Sequence, residues 1–379
     1  MRYLPILGLI LISLLNPTPT KAAPGPLCPS RQMAMALFGR PSLDGALLSG
    51  RAPGHLDSHR PPLRTIVRPG DTLSELAARF ETTVATLMAA NHLVNPDAIT
   101  AGQSLLIPTA SGLPLPAPFT AVWRGGPAVG GQAVLLWVAV APGIALRGRL
   151  GDQAIGFHPR CGLQWGLVAL DALLAPGVHM IELIATIPGG QKVTTSVPLD
   201  VNAGDYETET IWLDSATQSL LDPALIRAEN QRLNVLIAEV AGPPLWRGPF
   251  QRPMATPITS LFGTRRSWNG GPVTSYHEGI DFDGQIGDEI HAAAEGRVIL
   301  AERLTVRGNA VFLDHGAGVV SGYFHMSELD VKPGQLVQPG DLLGKIGATG
   351  LVTGPHLHWE LRVNGRWVDP GPWLTRGYP

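Results

Sequence analysis

Six of the eleven histidines in this 379-residue chain fall in its last third, and four of those six lie in three short segments that alternate polar with apolar residues. The first segment is His277-Glu278-Gly279-Ile280-Asp281, where Gly279 argues against a helix. On an extended strand, whose side chains alternate between faces, His277 and Asp281 share a face. The second, Tyr323-Phe324-His325-Met326-Ser327, sends Tyr323, His325 and Ser327 one way by the same rule. The third, GPHLHWELRV, puts His356, His358, Glu360 and Arg362 on one face and Leu357, Trp359, Leu361 and Val363 on the other. Neutral imidazole and carboxylate are donors that a zinc ion accepts, and a catalytic zinc site takes three protein ligands and keeps a fourth position open. Two histidines and an aspartate fill that count, which leaves surplus histidines to work as acid or base. No zincin-type H-E-x-x-H helix is present, so that work falls to histidine. His291 and His315 have no role in this pattern. Glu360 and Asp283 are read as groups that orient ligands or meet solvent, and Arg265 and Arg266 as loop cations able to meet substrate carboxylates.

These segments belong to a stretch after Pro257 that reads as strands and Gly-rich turns, an antiparallel all-β domain over residues 250–376. Upstream, Asp222 as N-cap and Pro223 at the first helical position open a connecting helix over 222–242, with Leu225, Ile226, Leu233, Leu236, Ile237 and Val240 as its apolar residues. Residues 118–204 carry five strand-like runs at roughly ten-residue spacing with Gly or Pro turns between them, the pattern of an Ig-like β-sandwich. A Pro-rich linker precedes it. Residues 64–108 read as strand, two helices and strand: Thr65-Ile66-Val67, then helices placing Leu73, Leu76, Ala77 and Phe80 and, after Thr83, Val84, Leu87 and Met88 inward, then a closing strand before Pro108. The fold class is therefore mainly β and multidomain, with one small α+β unit.

The N-terminus supplies the address. Arg2 precedes a twelve-residue apolar run, Leu4 to Leu15, too short to span a bilayer and fitting a secretory signal over residues 1–23, with a tether over 24–62. No second segment approaches the roughly 18 apolar residues of a membrane helix, so the mature chain is expected outside the cytoplasm without a membrane span. Its two cysteines, Cys28 and Cys161, are compatible there with one disulfide or with two thiols. Charged residues are 15% of the chain, net charge is −2 and the pI is near 6.6, which excludes the basic footprint of a nucleic-acid binder.

Residues 64–108, with the GDTLSELA opening, the AANHL stretch and the GQSLLIP ending in order, resemble a LysM module. That resemblance implies binding to N-acetylglucosamine-containing glycans such as peptidoglycan, with Gly70, Asp71, Thr72 and Asn95 to Ile99 as contacts. The C-terminal segments SLFGTRR, HEGIDF, AAAEGRVI, GNAVFLDHG and the run ending GPHLHWEL resemble the lysostaphin-type (LytM-like) zinc metallopeptidases over about residues 255–374. This resemblance implies a duplicated-hybrid-motif type of β fold, zinc bound by His277, Asp281 and His358, and His325 and His356 as catalytic histidines. The expectation is a secreted cell-wall hydrolase that cuts peptide bonds in peptidoglycan. The alternative is a non-catalytic wall-binding protein or an activator of another hydrolase, against which the intact ligand set weighs.

Overall fold

The computed structural model describes residues 63–379 except 80–83, 85–86, 89–90, 92, 94, 108–114, 126, 214–220, 239 and 241. The expected signal peptide and tether, Cys28, and Phe80 and Thr83 of the first module lie outside the described residues. Among the described residues, no helix is long and apolar enough to cross a membrane.

In the first module, strands Leu63–Ile66 and Ser104–Ile107 pair antiparallel. The helix Leu73–Arg79 starts at a reciprocal cap: Thr72 Oγ1 accepts from the Glu75 amide (3.2 Å) while the Glu75 carboxylate accepts from the Thr72 amide (3.0 Å), the geometry that satisfies two end-of-helix donors. Leu73, Leu76, Ala77 and Leu87 are buried. Gly70, at φ +89°, makes the turn before it.

Two four-stranded antiparallel sheets follow. One runs Phe119–Gly125, Ala133–Val140, Leu163–Ala169, His158–Arg160; the other Lys192–Val201, Gly177–Thr186, Ala145–Leu150, Gln153–Gly156. Their inner faces share a core that includes Val134, Leu136, Val138 and Val168 from one sheet and Leu146, Ile181, Leu183 and Leu199 from the other. The strands Phe119–Gly125, Gln153–Gly156 and His158–Arg160 were not among the five runs read from the sequence; the last two are four and three residues long, too short to show a period. Cys161 is disulfide-bonded.

The sandwich packs against the C-terminal domain. The outward-facing Leu135, Trp137, Trp165 and Leu167 join the same apolar cluster as Trp246, Phe250 and Trp373 of the C-terminal domain, with Trp165 edge-on to Trp246 at 6.4 Å. Close approach here demands glycine: a Cβ on Gly263 would stand 2.2 Å from the Tyr206 ring.

The C-terminal domain is built on a ten-stranded sheet whose main order is Ile258–Ser260, Gly279–Asp283, His356–Val363, Val319–Leu329, Asn309–Asp314, Gly296–Arg303, Leu336–Val337. Leu357, Trp359, Leu361 and Val363 point into the main core, all 0% exposed. The other face of these strands is covered too. The helix Pro223–Ala238, capped by Asp222 Oδ1 on the Ala224 amide (2.8 Å), lays Leu233 and Ile237 against Leu300, Phe312, Val320 and Phe324. It is therefore a docked layer of this domain rather than a connector alone, and it is why Glu360 and Arg362, on the polar side of their strand, are also 0% exposed.

Candidate active site

His277, Asp281 and His358 meet at one point. His277 Nε2 lies 3.0 Å from Asp281 Oδ1 and 2.9 Å from His358 Nδ1, and His358 Nδ1 is 2.9 Å from the same carboxylate oxygen. Asp281 and His358 are directly paired in register across strands Gly279–Asp283 and His356–Val363. His277 reaches them differently from the sequence expectation. It precedes strand Gly279–Asp283, after strand Val273–Tyr276 has ended, so it does not share a strand face with Asp281 and arrives from the turn. Its Nδ1 is 3.0 Å from the Leu261 carbonyl, which only accepts, so the ring proton sits on Nδ1 and Nε2 presents a lone pair. Imidazole nitrogen, carboxylate oxygen and the second imidazole nitrogen thus turn toward a common point, and these three ligand atoms all lie within 4.8 Å of one another. A cation accommodates that convergence of acceptors, and the donor set is one that zinc takes.

His325 and His356 flank this group, their ring centroids 5.0 Å apart. Each has Nδ1 on a backbone carbonyl: His325 on Thr349 (2.8 Å), His356 on Gly354 (2.9 Å). In both rings Nε2 is therefore the nitrogen with a lone pair. Burial, then the neighbouring His356 and His358, pushes His325 down to about 3, and burial lowers His356 as well; both are neutral bases near pH 7.

Strict alternation fails at His325. Tyr323 is 0% exposed in the main core, its hydroxyl accepting from the Ala293 amide (2.9 Å), and alternation would carry His325 inward with it. Instead His325 has φ +63°, next to a register irregularity opposite Asn309–Val311. The extra residue turns the imidazole to the side occupied by Phe324 and His358, the re-aiming that a β-bulge performs. Ser327, expected alongside, turns its hydroxyl onto the Ile346 carbonyl at 2.7 Å and does not join the site.

Arg266 belongs to the site and Arg265 does not. Arg266 Nη2 is 3.6 Å from Asp281 Oδ2 and its Nε donates to Glu209 Oε1 at 2.9 Å. Glu360 and Asp283 both line the cleft, but Glu360 is buried, accepting from Arg362 Nε (2.7 Å) and Trp367 Nε1 (2.9 Å), whereas Asp283 is exposed. His315 is a core group: fully buried, Nε2 2.7 Å from Ser321 Oγ and Nδ1 2.7 Å from the Glu295 carbonyl, and pushed down by burial to about 4. His291 pairs with Glu289 at 3.4 Å away from the site.

Three groups escaped sequence reasoning. Arg307 is buried among Glu229 (3.0 Å), Glu278 (3.7 Å) and Glu360 (3.8 Å), its guanidinium 5.2 Å above the Phe324 ring. Burial would lower it, but the three carboxylates hold it above its ordinary value. Burial raises Glu278 to about 7, against Arg307. Only Glu229 carried a signal: a charge on the helix stripe that continues in Leu233 and Ile237. A cleft of about 850 Å³ opens at the histidines, lined by Asp281, His325, His356 and His358 together with Glu209, Ile211 and helix residues Ile226 and Asn230.

In the LysM-like module, Asp71 accepts from the Arg68 amide (3.0 Å) and Asn95 from the Asp97 amide (2.9 Å), while Ile99 packs on the core. Thr72 and Asn95 are exposed.

Parts of this chain are similar to known proteins. The peptidoglycan DD-endopeptidase ShyA of Vibrio cholerae is 39% identical over 112 residues, 30% of this chain and 26% of that one. The DD-carboxypeptidase/endopeptidase Mpg of Neisseria meningitidis is 38% identical over 120 residues, again 30% and 26%. The chain spans about a quarter of the length of these curated relatives. Among solved structures, the catalytic domain of lysostaphin from Staphylococcus simulans is 30% identical, with a TM-score of 0.25, over 34% of this chain and 88% of that one. The model of Peptidase family M23 matches residues 275–370, which include all five site residues, and that of the LysM domain matches residues 65–108: the chain carries an M23 peptidase domain and a LysM domain.

Proposed function

We propose that this protein is a zinc-dependent endopeptidase of the bacterial cell wall that hydrolyses peptide bonds in peptidoglycan, and that its LysM domain holds it there by binding N-acetylglucosamine-containing glycan through Gly70, Asp71, Thr72 and the Asn95–Ile99 loop. It works outside the cytoplasm. His277, Asp281 and His358 hold the metal; His325 and His356 are the catalytic histidines. The observation that carries this is the convergence of three acceptor atoms within about 3 Å, flanked by two imidazoles with Nε2 unprotonated. The relatives' names, DD-endopeptidase and DD-carboxypeptidase/endopeptidase, favour the D,D peptide cross-link as the bond cut.

When bound, zinc supplies Lewis-acid polarisation of the scissile carbonyl and lowers the pKa of water toward about 7. The chain's own groups do the rest. The Leu261 and Asp281 contacts fix His277 in one tautomer and orientation, as outer partners of a ligand histidine do. His325 and His356, neutral and anchored at Nδ1, present Nε2 to the cleft. Either can take the proton of the attacking water and return it to the leaving amine. The imidazolium so formed faces the developing oxyanion as a donor until it gives that proton up.

Digestion of purified sacculi with and without a chelator, with mass analysis of the fragments, tests the reading. Fragments newly ended at a former D,D bond, produced only when metal is present, are expected. Sacculi left intact by the metal-loaded chain would leave the wall-binding or activator alternative standing.

A further inference from the structure

We propose that Glu229, on the helix upstream of the M23 domain, is a positioning residue for the active site, acting through Arg307; this rests on the endopeptidase reading above. Glu229 lies outside both matched regions, 65–108 and 275–370, yet its carboxylate holds the loop from which His325 hangs. It accepts from the Val306 amide (2.8 Å), the Arg307 amide (3.2 Å) and Arg307 Nη1 (3.0 Å). The Arg307 carbonyl in turn accepts from the His325 amide at 3.1 Å. His325 thus has its backbone tied to the Glu229-held loop and its ring tied to Thr349. The guanidinium of the same Arg307 lies over Phe324, the ring that stacks on His358. One carboxylate therefore restrains the approach to both the catalytic and the metal-binding side.

A merely docked helix has no use for this group. Leu233 and Ile237 continue the same stripe one and two turns on and are buried in an apolar cluster, so an aliphatic residue at 229 would serve docking at no cost in buried charge. The carboxylate instead meets three donors, the Val306 and Arg307 amides and Arg307 Nη1, the last two of them buried. His325 needs such restraint. Its φ of +63° is a conformation that L-residues hold only when their surroundings impose it, and a displacement of about 1 Å at a catalytic group can cost roughly 100-fold in rate.

The test compares the full chain with Glu229→Gln, Glu229→Asp and Ile237→Ala. The last loosens the helix by a cavity and removes no hydrogen bond to the loop. Soluble cross-linked muropeptides give kcat and KM, metal analysis gives zinc content, and 15N spectra of the imidazoles report the His325 ring. Glu229→Gln is expected to keep its zinc and a KM within about twofold, to lose roughly 10- to 100-fold in kcat, and to shift the His325 signals. Glu229→Asp, which keeps the charge one methylene short, should fall between it and wild type, and serves alone if the glutamine variant does not fold. Ile237→Ala should lower the melting temperature with kcat and His325 signals unchanged. The proposal is overturned if the Glu229 variants match Ile237→Ala in kcat and leave the His325 signals in place. If the wild-type chain cuts nothing, the endopeptidase reading falls, and the spectra still decide: unmoved His325 signals overturn the coupling, shifted ones uphold it.

Discussion

Phe324 lies almost parallel to His358, ring planes 8° apart and centroids separated by 5.3 Å, because the two residues are partners in register on neighbouring strands. The aromatic face leaves the imidazole one orientation, with Nδ1 toward Asp281 and His277. Pre-orientation of this kind is what outer contacts give a metal ligand.

Phe324→Leu should therefore keep the apolar packing in part while letting the His358 ring turn. The expected result is zinc affinity lowered roughly 10-fold or more, with the fold intact. Competition against a chromophoric chelator measures it. Unchanged affinity would reduce Phe324 to a packing residue.

Ligand and catalyst are separable by metal content. His358→Ala and His277→Ala should lose zinc and activity together. His325→Ala and His356→Ala should retain zinc while losing about 10² to 10⁴ in rate, the range typical of acid-base groups. Loss of zinc in His356→Ala with retention in His358→Ala would exchange their roles, and near wild-type turnover in His325→Ala would remove that residue from the chemistry.

The local strain at His325 has its own signature. At φ +63° an L-residue loses roughly 1–2 kcal/mol relative to the right-handed regions, a cost that glycine escapes. Glycine's larger chain entropy offsets about 0.5–1 kcal/mol of that. His325→Gly should accordingly be as stable as His325→Ala or more stable by up to about 1.5 kcal/mol, the reverse of the order in ordinary strand. Denaturant unfolding of the two metal-free variants checks it. A clearly more stable alanine variant would mean that the bulge relaxes.

Much of this site could be read from residue order, and the exceptions have physical causes. The strand His356–Val363 follows alternation throughout, because Leu357, Trp359, Leu361 and Val363 must all reach one core. Alternation failed where the backbone leaves the strand: His277 sits in a turn and His325 on a bulge, and neither a turn bound nor an extra residue disturbs the local pattern of side-chain types. The pairing of Arg307 with Glu229 was invisible for another reason. They are 78 positions apart, and a buried pair at that separation has no periodicity to reveal it. The helix Pro223–Ala238 was recognisable from its cap and apolar spacing, but its docking partner was not.

His315 predicts how stability responds to acid. Burial pushes this imidazole down to about 4, whereas in the unfolded chain it titrates near about 6.5. As pH falls below about 6.5 the unfolded state takes up the proton first, so it binds more protons than the folded state and stability drops with falling pH. The loss grows until the folded state also protonates, near pH 4, and then levels off at about 3 kcal/mol for this group. Protonation there would also force a charge between the Ser321 hydroxyl and the Glu295 carbonyl in a site with no exposure. His315→Gln lacks the titrating group. It should be less stable than wild type at pH 7, where the histidine fits its two partners, and the gap should close by about 3 kcal/mol between pH 7 and pH 4. Urea unfolding of both proteins at pH 7, 5 and 4, with metal removed so that zinc loss in acid does not contribute, measures the two slopes. Parallel slopes would show that His315 does not carry the acid response.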